Sequence, residues 1–221
     1  EIMNGIAQQV ALAIQNDRLR QEAIVQERIN REVQLARQIQ QTFLPSRLPN
    51  RKAWEMAARW QPAREVGGDF YDIFTLTKNR LGIAIADVSD KGMPAALYMT
   101  VGRTLIRAYA NNAKSAANLL QRINSPLVTD TPNSMFITGI YAVLWPETGQ
   151  LLYANAGHNR PYILRPNRMD IELLPKGGMA MGVLEHIQLE DSLYILEPGD
   201  CLFLYTDGVT ESFSPSGEPF G

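Results

Sequence analysis

The first 44 residues carry the pattern of one long helix. They contain no proline and a single glycine, Gly5. Leu44-Pro45 predicts the end of this helix, because proline disfavours helical geometry in the residue before it. Apolar or small residues recur at intervals of three and four positions, which places them on one helix face. These residues are Ile6, Val10, Ala13, Ile29, Val33, Ala36 and Phe43.

A lone helix of this kind cannot bury its apolar face. The face can pack on the domain that follows, on a domain that precedes it, or on a second copy of the helix as a coiled coil. Two interpretations therefore stay open: a helix at the edge of a packed domain, and a dimerising linker that carries a signal. We favour the linker.

From Trp54 onward the pattern changes to short apolar runs that are typical of β-strands. Residues 146–149, with the sequence PETG, predict a hairpin turn between two of these runs. The predicted strands cover residues 55–60, 70–76, 81–86, 135–145, 151–155, 162–165, 171–174, 189–196 and 201–205.

Two further helices are predicted between these strands. The first begins near Met93-Pro94, because proline is tolerated in the first helical turn, and the second covers residues 115–128. Strands joined by hairpins, together with a helical pair, predict an α+β fold of antiparallel sheets covered by helices. The residues predicted to face inward are Leu97, Val101, Leu105 and Ala108 on the first helix and Ala116, Leu119, Leu120 and Ile123 on the second.

Composition narrows the possible chemistry. The chain has 221 residues with 21 basic and 23 acidic side chains, a balance that argues against a basic nucleic-acid-binding face. One cysteine and two histidines exclude an internal disulfide framework and argue against a cysteine- or histidine-rich metal site. A metal ion would therefore have mostly oxygen ligands.

The sequence contains no long apolar run that could insert into a membrane and no signal peptide at its start. We therefore expect a cytoplasmic protein. The absence of an initiator methionine predicts that the chain is part of a longer one.

Three aspartates stand at the ends of predicted strands. Asp87 and Asp207 each follow an apolar run, and Asp69 follows Gly67-Gly68 directly before another run. Taken singly, each is most simply a turn residue or a helix cap. Together they could converge at one sheet edge, where mutual repulsion of the carboxylates favours a divalent cation between them. A paired-metal site of this kind can deliver a metal-bound hydroxide to a phosphorus atom.

Four motifs in a fixed order resemble those of the metal-dependent type 2C protein phosphatases, in their bacterial SpoIIE-like branch. The resemblance extends over residues 48–221. Upstream, residues 6–16 resemble the closing helix of a GAF sensor domain, and residues 37–45 resemble the linker that joins such sensors to these phosphatases. The four motifs are EVGGDFYD at 65–72, IADVSDKGMPAA at 85–96, YANAGHN at 153–159 and LYTDGVTE at 204–211.

The resemblance implies a division into a sensor end with a coiled-coil linker, residues 1–47, and a phosphatase domain, residues 48–221. It also implies an α-β-β-α sandwich, in which two antiparallel sheets are flanked by helices and two Mg²⁺ or Mn²⁺ ions lie at one end. The substrate would be a protein phosphoserine or phosphothreonine, most specifically on a phosphorylated STAS-type anti-sigma-factor antagonist. The N-terminal helix would hold a homodimer.

The resemblance also implies a role for each matching residue. Asp69 would bridge both metals, Asp87 and the backbone carbonyl of Val88 would bind one, and Asp207 would bind the other. A water between the metals would attack the phosphorus. In the family, one more metal-binding aspartate lies further along the sequence than Gly221, the last residue here. We therefore expect an incomplete metal site in this chain.

The remaining candidate residues have simpler interpretations beside their functional ones. Lys91 and Arg64 could bind the substrate phosphate, although an exposed surface cation is the simpler interpretation of each. Asp72 is interpreted as a residue that supports the metal ligands or as a turn residue. His158 is expected to be a structural histidine in a turn, and Cys201 a small core residue.

Two other classes of function stay open. The chain could be a non-catalytic module that dimerises and binds a partner. A nucleotide or sugar-phosphate hydrolase is the weaker alternative, because the sequence has no glycine-rich loop followed by Lys-Ser or Lys-Thr.

Overall fold

The structure, a computed structural model, describes residues 2–130, 135–214 and 216–220. The chain divides into two compact units, Glu1–Gln41 and Thr42–Gly221. Within the described ranges, no helix is both long enough and apolar enough to cross a membrane.

The first unit consists of one helix. This helix, α1 (Ile2–Phe43), ends directly before Leu44-Pro45, as predicted. Its polar surface carries ion pairs spaced four residues apart, such as Arg18 with Glu22, which add only a few tenths of a kcal/mol each. Large apolar side chains are exposed along its length, among them Leu12, Leu19, Ile24, Val25, Leu35 and Ile39.

The second unit contains two antiparallel sheets and two long helices. The five-stranded sheet has the order β1-β2-β3-β4-β7, and the three-stranded sheet has the order β6-β5-β8. The strands are β1 (Phe70–Thr75), β2 (Leu81–Val88), β3 (Ile137–Trp145), β4 (Gln150–Ala156), β5 (Tyr162–Arg165), β6 (Asp170–Leu173), β7 (Ser192–Ile195) and β8 (Cys201–Phe203). The helices are α2 (Met93–Ala110), α3 (Ala116–Asp130) and the one-turn α4 (Asp207–Thr210).

The larger sheet is covered on both faces, and strand β2 shows how. Ala84 and Ala86 lie in the core cluster shared with α2 and α3, while Leu81 and Ile85 lie in the cluster shared with the smaller sheet. Successive side chains of a strand point to opposite faces, so a strand packed on both sides is apolar throughout. The layers confirm the predicted fold class.

One predicted strand is wrong. Residues 55–60 pair with no strand, although seven of the other predictions overlap observed strands closely and the eighth, 189–196, shortens to β7. The segment is held by side chains instead of by ladder hydrogen bonds. At its ends, the indole nitrogen of Trp54 donates to the carbonyl of Pro146 at 2.9 Å, and that of Trp60 donates to the carbonyl of Asp69 at 2.9 Å.

The predicted inner face of α2 is also wrong. Leu97 is 64% exposed, Val101 is 46% exposed, Ala108 is exposed and Leu105 is only half-buried. A Cβ atom added at Gly102 would lie 2.6 Å from Ile137, so small residues let the helix approach the sheet. The buried residues of α2 are Ala95, Ala96, Met99, Gly102, Ile106 and Ala110.

On α3 the predicted inner face is confirmed, since Ala116, Leu119, Leu120 and Ile123 are fully buried. The hairpin at 146–149 is confirmed as well, with Gly149 at φ 70°.

Candidate active site

Strands β1 and β2 bring two of the predicted aspartates together. Phe70 pairs with Ala86 in the antiparallel ladder, so Asp69, which precedes β1, lies opposite Asp87 near the end of β2. The side chain of Asp69 therefore acts directly on the carboxyl group of Asp87, by its charge and as a close neighbour.

This pairing perturbs Asp87 strongly. Burial raises the pKa of Asp87 to about 8, and the close side chain of Asp69, its charge and the charge of Asp207 act in the same direction. A backbone hydrogen bond at Val88 opposes the rise. Without a cation, the negative form of this carboxyl group is therefore disfavoured at neutral pH.

Asp207, which follows the last strand of the smaller sheet, lies in the same acidic environment. Burial raises its pKa, and the negative charges of Asp69 and Glu211 raise it further. The preceding residue, Thr206, donates a hydrogen bond of 2.7 Å from its hydroxyl to Oδ2 of Asp69. The segment between β8 and α4 therefore contacts Asp69 directly.

The backbone of Val88 lies directly beside this acidic group. A Cβ atom added at Gly68 would stand 3.0 Å from the carbonyl oxygen of Val88. The glycine therefore lets the turn before Asp69 approach the Val88 carbonyl closely.

The donor chemistry of this group fits a hard divalent cation. Asp69 lies opposite Asp87, the charge of Asp207 acts on Asp87, and the charge of Asp69 acts on Asp207. Carboxylates that disfavour one another's ionisation are the ligands that Mg²⁺ or Mn²⁺ neutralises. In the part of the chain that the structure describes, however, no three His, Cys, Asp or Glu side chains come close enough to form a complete metal cluster.

The two basic candidates behave differently. The positive charge of Lys91 lowers the pKa of Asp207, against the larger effect of burial, so Lys91 lies within electrostatic reach of the acidic group. Arg64 is exposed in the segment before Gly67 and, among the described residues, its side chain makes no hydrogen bond or ion pair.

Asp72 does not support this site. It is fully buried within β1, so its interpretation as a turn residue is wrong. Its carboxylate accepts two hydrogen bonds from Arg107, at 2.6 and 2.7 Å, and lies 3.1 Å from Nε of Arg103. Asp72 therefore anchors α2 to β1.

Cys201 is exposed, which corrects its expected place in the core. Strand β8 pairs only with β5 and lies at the edge of the smaller sheet, so Cys201 and Phe203 point away from the core while Leu202 points inward.

His158 is buried in the turn after β4, in keeping with a structural role. Its Nδ1 lies 3.0 Å from the hydroxyl of Thr138. Sequence reasoning did not identify Thr138, Thr206 or Trp60 as neighbours of the site. Of these three, only Thr206 could have been identified from the sequence, because it lies within the TDG motif.

The model of the stage II sporulation protein E (SpoIIE) family matches residues 77–221. Phosphoserine phosphatase RsbU of Bacillus subtilis is 31% identical, over 87% of this chain and 57% of RsbU. Protein IcfG of Synechocystis is 35% identical, over 89% of this chain and 35% of IcfG. This chain therefore spans well under two thirds of either relative. The SiaA-PP2C domain of Pseudomonas aeruginosa shares the fold, with a TM-score of 0.72 at 21% identity over 89% of this chain and 79% of that one.

Proposed function

This chain belongs to the SpoIIE family of type 2C serine/threonine phosphatases, and we propose that it hydrolyses phosphoserine or phosphothreonine on a protein with divalent cations held by Asp69, Asp87 and Asp207. The observation that carries the proposal is the antiparallel ladder that places Asp69 opposite Asp87, with the charge of Asp207 acting on Asp87. Perturbed carboxyl groups that lack a basic partner are typical of functional sites.

The ligand roles proposed for these groups are those that the family resemblance implies. Asp69 would lie between two Mg²⁺ or Mn²⁺ ions, Asp87 and the Val88 carbonyl would bind one of them, and Asp207 the other. Such cations activate water as a nucleophile and neutralise charge on the transferring phosphoryl group. Thr206 orients Asp69 through its hydrogen bond of 2.7 Å.

We propose Lys91 as the residue that binds the substrate phosphate. Its charge already reaches Asp207, and an ammonium group can donate to phosphoryl oxygens. Arg64 is the second candidate, because its side chain is exposed and its guanidinium suits a phosphate.

The proposed substrate is a phosphorylated STAS-type anti-sigma-factor antagonist, which would make the output transcriptional. The support is the similarity to RsbU, whose name describes a phosphoserine phosphatase. The test is dephosphorylation of a purified phosphorylated STAS protein against an unrelated phosphoserine peptide. Equal rates on both would contradict the specific substrate while leaving the phosphatase activity in place.

We also propose that residues 1–47 are the end of a GAF-like sensor and a coiled-coil linker, residues 48–221 being the phosphatase domain. The support is a 42-residue helix with many exposed apolar side chains. Two copies of such a helix could bury these side chains against each other as a homodimer. Sedimentation of the whole chain and of residues 48–221 tests this, and a monomer in both cases would contradict it.

A non-catalytic, partner-binding role is the second candidate. It is favoured by one observation, the lack of a complete three-residue metal cluster among the described residues. Hydrolysis of p-nitrophenyl phosphate with Mn²⁺ separates the two roles. We expect activity that Asp87→Asn removes and that Asp170→Asn, an exposed aspartate on β6, retains. Metal-independent turnover, or no turnover in the full-length protein, would overturn the phosphatase proposal.

A further inference from the structure

His158 is held in place by its own turn. The side-chain amide of Asn155 donates 3.1 Å to the carbonyl of His158, and the His158 N–H donates 2.7 Å to Oδ1 of Asn155. Gly157, at φ 72°, gives the chain the left-handed conformation that the turn requires. The ring itself is buried, with 6% of the residue exposed. These two hydrogen bonds fix the backbone of His158, so the turn sets the place of the buried ring.

One side of the ring reaches the strand that carries Asp87. Nδ1 of His158 lies 3.0 Å from the hydroxyl of Thr138 on β3. Thr138 pairs directly with Asp87 in the ladder between β2 and β3, and its hydroxyl lies 3.4 Å from the Asp87 carbonyl oxygen. His158 therefore contacts the larger sheet at the register position of Asp87.

The other side of the ring reaches the segment that carries Asp207. Tyr162 pairs with Phe203, so continuation of this antiparallel register runs the residues before Tyr162 alongside residues 205–207. Burial lowers the pKa of His158 to about 4, and an interaction with the backbone of Tyr205 opposes this fall. The stacked rings of Tyr162 and Tyr205, with centroids 6.0 Å apart, hold these two segments side by side.

The two ring nitrogens divide these neighbours between them. Because Thr138 occupies Nδ1, Nε2 is the nitrogen left to face the Tyr205 segment. Nε2 is buried and, among the described residues, has no hydrogen-bond partner. A neutral imidazole has one acceptor and one donor nitrogen, and a hydroxyl can partner either kind at Nδ1.

We propose that His158 is a positioning residue that joins the edges of the two sheets and sets the separation of Asp87 from Asp207. It acts through Thr138 on the strand of Asp87 and through the Tyr205 backbone on the segment of Thr206 and Asp207. The ring contacts neither substrate nor reacting atoms. The inference rests on the proposed function, because the quantity it controls is the affinity of the acidic group for a divalent cation.

The experiment measures Mn²⁺ binding by the electron paramagnetic resonance signal of free Mn²⁺, and metal-free stability by urea unfolding. His158→Phe keeps a ring without polar atoms, and we expect the Mn²⁺ dissociation constant to rise about 10- to 100-fold, as for other residues that orient metal ligands. His158→Asn keeps a polar atom near the Nδ1 position and is expected to recover part of the loss.

The Thr138 pair supplies the matched control. Thr138→Val removes the hydroxyl at nearly constant shape and should weaken Mn²⁺ binding, whereas Thr138→Ser should bind as the unsubstituted chain does. Combining Thr138→Val with His158→Phe should weaken binding no further than His158→Phe alone, since both remove the same link. Additive losses would contradict the shared link.

The outcomes separate this inference from the proposed function. If Asp87→Asn abolishes Mn²⁺ binding while folded His158→Phe binds as tightly as the unsubstituted chain, only the inference is overturned. Lower metal-free stability with unchanged Mn²⁺ affinity also overturns it, because the ring would then serve packing alone. If the unsubstituted chain binds no Mn²⁺, both are overturned. Should His158→Phe fail to fold, equal affinities of Thr138→Val and Thr138→Ser would overturn the inference.

Discussion

Asp72 and Asp87 lie on neighbouring strands of one sheet, yet their carboxyl groups have opposite surroundings. Asp72 is fully buried against two guanidinium groups, from Arg103 and Arg107. Asp87 lies opposite Asp69 and is exposed to the charge of Asp207. The first carboxylate has its counter-charge built into the protein. The second is surrounded by groups of its own sign.

The difference shows how one sheet can hold a structural and a functional carboxylate side by side. A buried carboxylate paired with arginine stabilises the fold as long as both partners are present. Clustered carboxylates without a cationic partner cost stability, and proteins retain them where a cation or substrate supplies the missing charge. The following predictions test this distinction.

The largest expected effect is on catalysis. Asp87→Asn should lower kcat on p-nitrophenyl phosphate with Mn²⁺ by about 10²- to 10³-fold, the usual cost of removing one electrostatic group from an active site. Urea unfolding should show no loss of metal-free stability, because the metal-free carboxyl group is already mostly protonated at neutral pH and an amide replaces it at nearly constant shape. A large loss of stability would place Asp87 in the same structural class as Asp72.

Asp72→Asn should have the reverse profile. We expect a loss of about 3 kcal/mol in the free energy of unfolding, because the substitution leaves Arg103 and Arg107 without their carboxylate. Glu22→Gln is the control, since it breaks the exposed Arg18–Glu22 pair and should cost no more than about 0.5 kcal/mol. If Asp72→Asn kept normal stability but lost Mn²⁺ binding, Asp72 would act together with the metal-binding aspartates and not as a structural carboxylate.

Thr206→Val should give a smaller effect on activity. It removes the 2.7 Å hydrogen bond to Asp69, and hydrogen bonds to charged groups contribute about 1.5–3 kcal/mol. We expect a loss of roughly tenfold or more in kcat, while Thr206→Ser stays close to the unsubstituted chain. Equal activity of the two variants would show that the hydroxyl does not orient Asp69.

We also expect the stability of the metal-free chain to depend on pH. The pKa of Asp87 rises to about 8 on folding from 3.8 in the unfolded chain, so between these values the folded state holds more protons. Stability should therefore fall as pH rises through this window. Urea unfolding of the metal-free chain between pH 5 and 9 tests this, and Asp87→Asn should flatten the slope. If Asp87→Asn left the pH dependence of stability unchanged, Asp87 would not be the group whose pKa rises on folding.

Much of the fold could be predicted because local patterns and core packing agree. The inner face of α3 and most of the strands follow from apolar spacing alone. The α2 face failed because Gly102 and its small neighbours pack closest to Ile137, so the most apolar positions stay outside. The strand prediction for residues 55–60 was wrong because the indole hydrogen bonds of the flanking Trp54 and of Trp60 hold this segment, instead of backbone pairing with a strand.

The candidate site divides in the same way. The glycines and strand ends next to Asp69, Asp87 and Asp207 mark these residues within the sequence itself. The proximity of Asp69 to Asp87 follows from the antiparallel ladder of β1 and β2. Nothing local distinguishes Asp72, only three residues from Asp69, because its partners lie 31 and 35 positions further along the chain.

By itself, then, the sequence determined the family, the two-sheet architecture and the three aspartates, since each depends on residue type and short spacing. Only the tertiary structure decided which buried carboxyl group has a guanidinium beside it and which has another carboxyl group. It also decided that the His158 ring lies 3.0 Å from the Thr138 hydroxyl. These properties depend on distances between segments remote in sequence, and packing alone sets such distances.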